Sequence, residues 1–181
     1  MVVISPYRDD WPAAFEVVAR RLAAILGERA LRIDHVGSTA VPGLDAKNVI
    51  DVQVTVRALT DADPLAEARY RVLPAVDDHV PPGSPDDRRE WSKRLFNEPD
   101  GNRRANIHVR EEGRANQRYA LLFRDYLRAH PAAAEAYARL KRALATELAD
   151  PRSYPDVKDP ACDLIWMAAE EWAAATGWLP S

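Results

Sequence analysis

The chain has 181 residues, within the size range of one domain, and its 47% hydrophobic and 29% charged residues are typical of a folded globular protein. The formal net charge of -3 gives no global positive field for DNA or RNA, so general nucleic-acid binding is not expected. The chain is expected to form one domain over residues 1–181. Its single cysteine, Cys162, cannot form a disulfide within the chain, and neither a leader nor a long apolar run is seen, so the expected location is the cytoplasm, away from membranes.

The first third of the chain predicts one helix and two strands. The helix runs from Asp10 to Leu26, with a proline in its first turn and apolar residues at three- and four-residue steps. Alternation over Ala30–Val36 and over Asn48–Val56 predicts two strands that form the central pair of a sheet. The aliphatic residues of the second strand take the core face, so Asp51 and the residue two positions later, Gln53, point to the other face.

The middle of the chain predicts a short helix, a loop and a hairpin. The helix covers Thr60–Tyr70, and a loop rich in Pro and Asp follows between Val76 and Arg88. A Pro-Asp-Gly turn then joins two strands, Trp91–Asn97 and Asn102–Arg110, in an antiparallel hairpin that extends the sheet.

The last third of the chain predicts helices. Two of them, Asn116–Ala129 and Pro131–Leu148, are divided by His130-Pro131. A last helix begins at Asp159-Pro160 and directs four residues toward a core: Leu164, Ile165, Ala168 and Trp172. Together these elements predict an α/β (α+β) fold with a mixed β-sheet flanked by helices and a helical C-terminal part.

The loop between the first two strands has the residues best suited to chemistry. Gly37 lets backbone N–H groups approach an anion, Ser38 and Thr39 add hydroxyl donors, and Lys47 adds a positive charge. Asp51 follows on the next strand and can hold Mg²⁺, which commonly bridges carboxylates to substrate phosphates. The segment therefore predicts a site for the triphosphate of a nucleotide. The alternative is that Gly37-Ser38 only forms a tight turn between two strands and binds no ligand.

The sequence from Asp34 to Lys47, DHVGSTAVPGLDAK, followed by Ile50-Asp51, resembles the signature of GrpB-like proteins, also called the UPF0157 family. The resemblance continues in Phe123–Pro131 and Tyr137–Ala145 and covers nearly the whole chain. GrpB-like proteins are similar to the nucleotidyltransferase superfamily, whose members move a nucleoside monophosphate from a triphosphate. The resemblance thus implies a nucleotidyltransferase-like sheet, and it adds phosphate-binding side chains from the helices: Arg124, Lys141 and Lys158.

The sequence departs from the superfamily pattern at the acidic residues. The pattern is Gly-Ser followed by Asp-x-Asp or Asp-x-Glu, and here Asp51 is followed by Gln53, whose amide can ligate a metal but brings no charge. A two-Mg²⁺ clamp is therefore expected to be weaker than one held by two carboxylates. On the later strand that would bear the third acidic ligand, the nearest equivalent is His108, and Asn106 stands where the family often has another histidine.

Three functions remain open at this point. The first is a nucleotidyltransferase-like enzyme that uses Mg²⁺, or Mn²⁺, on a small-molecule or nucleotide substrate, with Asp51 and His108 as catalytic residues. The second is a regulatory nucleotide-binding module without turnover. The third is an enzyme of different chemistry, in which Asp51 with His35 or His108 binds a transition metal or supplies a general base. The expected metal ligands are Asp51, Gln53, His35 and His108, and the expected cleft contains Ser38, Asp51, Gln53 and His108.

Two further features have structural interpretations. Cys162 has no nearby basic residue in the sequence beyond Lys158, and Asp159 is acidic, so nothing indicates a nucleophile and Cys162 is interpreted as structural. The tryptophans near the C-terminus are interpreted as core residues or as a contact in a homodimer, rather than as platforms for a nucleobase: Trp166, Trp172 and Trp178.

Overall fold

A computed structural model describes residues 2–74 and 77–180. Over these residues the chain forms a five-stranded mixed sheet with helices on both faces. The elements are α1 Trp11–Leu26, β1 Arg32–Val36, β2 Ile50–Val56, α2 Asp63–Glu67, β3 Arg71–Val72, β4 Arg94–Asn97, β5 Ala105–Glu111, α3 Ala115–Ala129, α4 Pro131–Glu147 and α5 Tyr154–Thr176. Val76, where the predicted loop begins, lies outside the described residues.

The sheet has the strand order β1-β2-β5-β4-β3, in which β2 and β5 are parallel and the other neighbours are antiparallel. The predicted hairpin is present as β4 and β5. The predicted pair of β1 and β2 is also present, but its central position was wrong. The connection through α2, β3 and β4 returns β5 to the side of β2 that β1 leaves open, so β5 is the middle strand and β1 lies at the edge.

One face of the sheet is aliphatic and packs on α1 and α2. Val52, Val54 and Ile107 are fully buried there, against α1 residues that include Val18 and Leu22. Burial of each such side chain contributes about 1.5–3 kcal/mol. A slip of one residue would turn this set away from the core, and the aliphatic face therefore specifies the predicted register of β2.

The other face of the sheet is polar and is covered by α3, with α4 and α5 packed behind it. Gln53 is fully buried on this face, so the polar side of β2 is largely enclosed and does not open as a whole into a cleft. Only the end of β2 near Asp51 remains partly accessible, with 31% of the Asp51 side chain exposed. The part of this polar face that a ligand could reach is therefore the region next to Gly37.

Two helices differ from their predicted bounds. The predicted helix Thr60–Tyr70 is a 3₁₀ turn followed by the short α2, because the chain reverses at Arg69, where φ is +67°, to enter β3. The last helix begins at Tyr154 rather than at Asp159-Pro160. A second proline occupies its first turn, and Pro160 lies inside the helix, where it removes one backbone donor.

The phase of α5 also differs from the prediction. Leu164 was expected in the core, but it is 70% exposed. The buried face of the helix is instead formed by Cys162, Ala169 and Ala173, which recur at helical spacing against α3 and α4. In the described part of the chain, no helix combines the length and the apolar composition needed to cross a membrane.

Candidate functional site

A cavity of about 460 Å³ lies between the end of β2, the loop after β1 and the helices α4 and α5. Seven of the residues predicted from the sequence line it: Gly37, Ser38, Thr39, Lys47, Asp51, Lys141 and Lys158. Four predicted residues do not: His35, Gln53, His108 and Arg124. The cavity therefore contains the predicted phosphate loop, one of the predicted metal ligands and two of the three basic residues predicted from the helices.

Gly37 lets the loop pass directly over Asp51. Its backbone has φ +69° and ψ -170°, a conformation that favours glycine. A Cβ at this position would lie 2.6 Å from Asp51 Oδ2 and 3.0 Å from Asp51 Cβ, which is closer than side chains approach one another. Glycine is thus required both by the backbone conformation and by the close approach of the carboxylate.

Asp51 is held as an anion at the edge of the cavity. Its Oδ1 accepts a hydrogen bond of 2.8 Å from Asn106 Nδ2, and His108 Nε2 lies 3.7 Å from the same oxygen. Burial favours the neutral carboxyl, but the His108 ring and the Asn106 amide outweigh it and lower the pKa of Asp51. A negative charge at neutral pH is therefore built into this end of β2.

Lys141 enters the cavity from α4 with its side chain almost completely buried. Its Nζ donates to Ser38 Oγ at 2.8 Å and to the backbone carbonyl oxygen of Asp45 at 2.5 Å. Burial, reinforced by the nearby charge of Lys158, lowers the pKa of Lys141 to about 7. This ammonium group lacks a carboxylate within its own hydrogen bonds, and an anion bound beside Ser38 would stabilise its charged form.

Two further lysines point at the same space. Lys47 Nζ lies 3.9 Å from the centroid of the Tyr154 ring, and burial, together with the charge of Lys158, lowers the pKa of Lys47. Lys158 Nζ lies 3.0 Å from Cys162 Sγ. The mutual repulsion of these ammonium groups in a buried site favours a ligand with several negative charges.

An aromatic wall, which was not predicted from the sequence, completes the cavity. It consists of Tyr119, Phe123, Tyr137 and Tyr154 from the three C-terminal helices. The rings of Phe123 and Tyr137 meet edge to face with centroids 5.8 Å apart. Cys162, predicted to be structural, is buried but also lines the cavity. The helical spacing of these residues matches a core face, so nothing in the spacing alone marked them as part of a site.

Gln53 is not placed to bind a metal with Asp51. Its Oε1 accepts a hydrogen bond of 2.7 Å from Arg110 Nη1, and its Nε2 donates to the backbone carbonyl oxygen of Gln117 at 3.1 Å. Arg110 in turn donates to both carboxylate oxygens of Asp78, at 2.8 and 3.0 Å. Gln53, predicted as a metal ligand, is therefore a buried structural group. The predicted cleft was expected to include Gln53 together with Ser38, but the observed cavity contains Ser38 and not Gln53.

His35 lies on the opposite face of the sheet from Asp51. It is paired with Val52 in the register of β1 and β2, so its side chain points toward α1, where it stacks on Phe15 with centroids 4.8 Å apart. Its Nε2 is 2.9 Å from Thr39 Oγ1, and burial lowers the pKa of His35 to about 4. The predicted arrangement of Asp51 with two histidines is not formed, because strand alternation separates them.

His108 and Arg124 lie behind the cavity rather than in its wall. His108 shares the face of Asp51, but its ring is largely withdrawn from solvent, which lowers its pKa, and Nδ1 has no hydrogen-bond partner among the described residues. Arg124 is 4% exposed, and its guanidinium donates to Asp125 at 2.7 Å and to the backbone carbonyl oxygen of His35 at 3.1 Å. Arg124 thus connects α3 to the sheet, and its predicted role in phosphate binding is corrected to a structural one.

The donor set of the cavity suits one oxygen-bound cation better than a preformed metal cluster. In residues 2–74 and 77–180, no three His, Cys, Asp or Glu side chains are grouped to hold a metal. Of the described residues that line the cavity, only Asp51 offers a charged oxygen. A single Mg²⁺ held by one carboxylate, substrate phosphates and water fits these residues, whereas a second Mg²⁺ on Gln53 does not.

Comparison with known proteins relates the chain to one family. A model of the family described as GrpB protein matches residues 1–167. The structure of the conserved protein GrpB from Enterococcus faecalis is similar with a TM-score of 0.74 and 29% identity, over 94% of this chain and 99% of that one. Cid1, a poly(U) polymerase solved with its short product ApU, has a similar fold, with a TM-score of 0.51 and 14% identity over 78% of this chain and 43% of that one.

A longer relative was also found. A protein of Mycolicibacterium paratuberculosis named dephospho-CoA kinase is 38% identical over 199 aligned residues, which include 99% of this chain. The chain spans about half the length of this relative, 48%. The mixed sheet with helices on both faces is thus a nucleotidyltransferase-like fold.

Proposed function

The chain belongs to the GrpB family, and we propose that its cavity binds a nucleoside triphosphate with Mg²⁺ and transfers the nucleoside monophosphate to an acceptor. One observation carries this proposal. Ser38 Oγ and Lys141 Nζ, 2.8 Å apart, face the same cavity as the anionic Asp51. A hydroxyl group, an ammonium group and a carboxylate thus meet from the loop after β1, from α4 and from β2, and in this proposal the first two would bind phosphate and the third would bind the metal.

The residues of the cavity have separate roles in this proposal. Ser38 and the backbone of its loop would donate to the phosphates, and the three lysines would balance their charge. The aromatic wall offers Tyr119 and Phe123 to the apolar face of a base or sugar. Asn106 orients Asp51, and His108, 3.7 Å from Asp51, supports it from behind.

Asp51 is the residue that would hold Mg²⁺, together with phosphate oxygens of the nucleotide. When bound, the ion would neutralise phosphate charge and make the α-phosphorus more electrophilic. An acceptor hydroxyl oxygen would form a bond to that phosphorus as the bond to the leaving pyrophosphate breaks, and its proton would pass to solvent. The lysines would hold the pyrophosphate charge in place during the transfer.

Nucleotide binding without transfer is a second candidate function. It is favoured because Asp51 is the only carboxylate among the described residues that line the cavity, and because the Gln53 amide is bonded to Arg110 behind it. A chain that binds a nucleotide but stabilises the transition state poorly would act as a nucleotide-dependent regulator.

Thermal shift and calorimetry with the four ribonucleoside triphosphates, each with and without Mg²⁺, test the proposal. We expect at least one nucleotide to raise the melting temperature, because a ligand that binds only the folded state stabilises it. Lys141→Gln should abolish the shift, whereas Arg139→Gln, on the exposed side of the same helix, should retain it. No shift with any nucleotide, or a shift that Lys141→Gln leaves unchanged, would contradict nucleotide binding at this cavity. Release of pyrophosphate with an acceptor would then separate transfer from binding alone.

A further inference from the structure

A second cavity, of about 420 Å³, lies beside the first one. It is formed by the start of β3, the end of β4 and the turn between β4 and β5. Val49, Arg104 and Asn106 line both cavities. Molecules bound in the two cavities would therefore be neighbours, separated only by these side chains.

The second cavity has an excess of positive charge. Arg69, Arg71 and Arg104 line it, all three are exposed, and none forms an ion pair with a carboxylate in the part of the chain that the structure describes. Of its two acidic residues, Glu98 is 8% exposed and already receives hydrogen bonds from Arg21 at 3.4 Å and from Asn102 at 3.1 Å. Three guanidinium groups without an ion pair thus face a single carboxylate without one, that of the exposed Asp100.

Arg69 stands at a position that usually holds glycine. It follows the C-terminal end of α2 and has φ +67°, the only positive φ outside glycine among the described residues. Glycine would adopt this conformation with less strain and is the usual residue at such helix ends. A strained arginine that points a charged side chain at a cavity is a feature typical of ligand-binding sites.

A chain of hydrogen bonds connects this cavity with Asp51. Arg71 Nη2 donates to Asn97 Oδ1 at 2.8 Å, Asn97 Nδ2 donates to Asn106 Oδ1 at 3.0 Å, and Asn106 Nδ2 donates to Asp51 Oδ1 at 2.8 Å. Arginine has only donors and a carboxylate only acceptors, so the two ends fix the orientation of both amides. An anion bound to Arg71 would consequently affect the position of the carboxylate in the first cavity.

We propose that the second cavity binds the acceptor and that this acceptor is a small phosphate-bearing molecule. The role of acceptor rests on the proposed function, whereas the binding of phosphate rests on the arginines alone. Guanidinium groups match phosphate oxygens with two parallel hydrogen bonds. A cavity of about 420 Å³ and a net charge of -3 suit a sugar phosphate better than a nucleic-acid strand.

Calorimetry with ribose 5-phosphate tests this proposal, with ribose as the uncharged comparison. We expect ribose 5-phosphate to bind and ribose not to bind. The affinity should fall about tenfold or more in Arg71→Gln and in Arg69→Gln, because each removes a charged hydrogen-bond donor from the phosphate. Both residues are exposed, so neither substitution threatens the fold, and Arg20→Gln on the exposed side of α1 is the matched control.

The outcomes separate this site from the nucleotide site. Ribose 5-phosphate should still bind when the imido analogue of the preferred nucleotide saturates the first cavity; complete competition would overturn a separate site. An affinity that depends on Lys141 but not on Arg71 would overturn it too, as would tighter binding of a tetranucleotide at the same arginines. If no nucleotide binds but ribose 5-phosphate still depends on Arg71, the proposed function fails and the phosphate site stands.

Discussion

Arg110 Nη1 donates a hydrogen bond of 2.7 Å to Gln53 Oε1, and this contact decides what the second polar residue of β2 does. Both side chains are buried, and the Gln53 amide is also bonded to the backbone of α3 through Gln117. In the superfamily pattern a carboxylate at this position would serve a metal. Here the amide instead connects two strands to a helix.

We predict that Gln53→Leu destabilises the protein. The substitution keeps a similar volume but leaves the Arg110 Nη1 donor without its partner in a buried region. An expected loss of roughly 1–3 kcal/mol in the free energy of unfolding, measured with urea, follows from the cost of unpaired polar groups. Gln117→Leu is the control, because Gln53 contacts only the backbone of that residue. Equal stability of the Gln53→Leu variant and the native protein would refute the structural role.

Asp51→Asn should remove the effect of Mg²⁺ on nucleotide affinity. The amide keeps the shape of the side chain and can still accept from Asn106, but it loses the charge that attracts the ion. Calorimetry with and without Mg²⁺ measures the difference. Gln53→Glu is the informative comparison: its new carboxylate would face Arg110 rather than the cavity, so no gain in Mg²⁺-dependent affinity is expected. Retained Mg²⁺ dependence in Asp51→Asn would count against this residue as the ligand.

Gly37→Ala should damage the site more than Gly43→Ala. Both glycines have positive φ, which costs an alanine about 1–2 kcal/mol. Only at Gly37 would the added Cβ also meet Asp51 Oδ2 at 2.6 Å, whereas nothing lies within 4 Å at Gly43. We expect a loss of stability from the backbone in both variants, with an extra loss and weaker nucleotide binding in Gly37→Ala, where ψ of -170° also places the backbone in a region that is essentially restricted to glycine. Equal nucleotide affinities in the two variants would show that the close approach is not needed.

The stability of the fold should rise with pH because of Lys141. The unfolded chain holds this proton up to the ordinary pKa of 10.5, whereas the folded chain releases it near 7. Between these values the unfolded state binds more protons, so the free energy of unfolding increases with pH. Urea unfolding at pH 7, 8 and 9 should show this increase in the native protein and a flatter profile in Lys141→Met. Identical profiles would mean that Lys141 is charged in the fold throughout this range.

Binding of a nucleotide should be accompanied by uptake of a proton at Lys141. At pH 8 most of the unliganded protein has lost this proton, since the pKa is about 7, and a phosphate beside Ser38 would favour the charged ammonium group. Calorimetry in two buffers of different ionisation enthalpy gives the number of protons taken up. The uptake should shrink toward pH 6, where Lys141 is already charged in the unliganded protein, and an uptake that does not change between pH 6 and pH 8 would assign the proton to another group.

Local patterns in the sequence predicted much of the fold. The alternation of aliphatic and polar residues gave the register of β2, and the Pro-Asp-Gly turn gave the hairpin. The position of β1 at the sheet edge could not be predicted in the same way, because it depends on where a distant strand returns. The phase of α5 was missed for a related reason, since its many alanines and scattered large apolar residues allow more than one buried face.

The site was predicted where its residues lie close in sequence and was missed where distant segments meet. Alternation along β5 could have shown that Asn106, His108 and Arg110 share one face with Asp51. No local pattern shows that Arg110, 57 residues from Gln53, donates to that amide. His35 illustrates the opposite error, because its position on a predicted strand near the presumed cleft suggested a metal ligand, whereas strand alternation places its side chain on the α1 side.

The wall of the first cavity comes from two separate layers of the fold, and the hydrogen bond from Lys141 to Ser38 joins them. The sheet and its loop provide Asp51, Ser38 and Lys47, whereas the helices α3, α4 and α5 provide the aromatic wall together with Lys141 and Lys158. A ligand that touches both layers would have to leave before the helices could separate from the sheet. A ligand bound in the first cavity would therefore slow amide hydrogen exchange throughout α4 and α5, including turns far from the ligand. The rate at which these helices open would then depend on how much of the cavity is occupied by ligand.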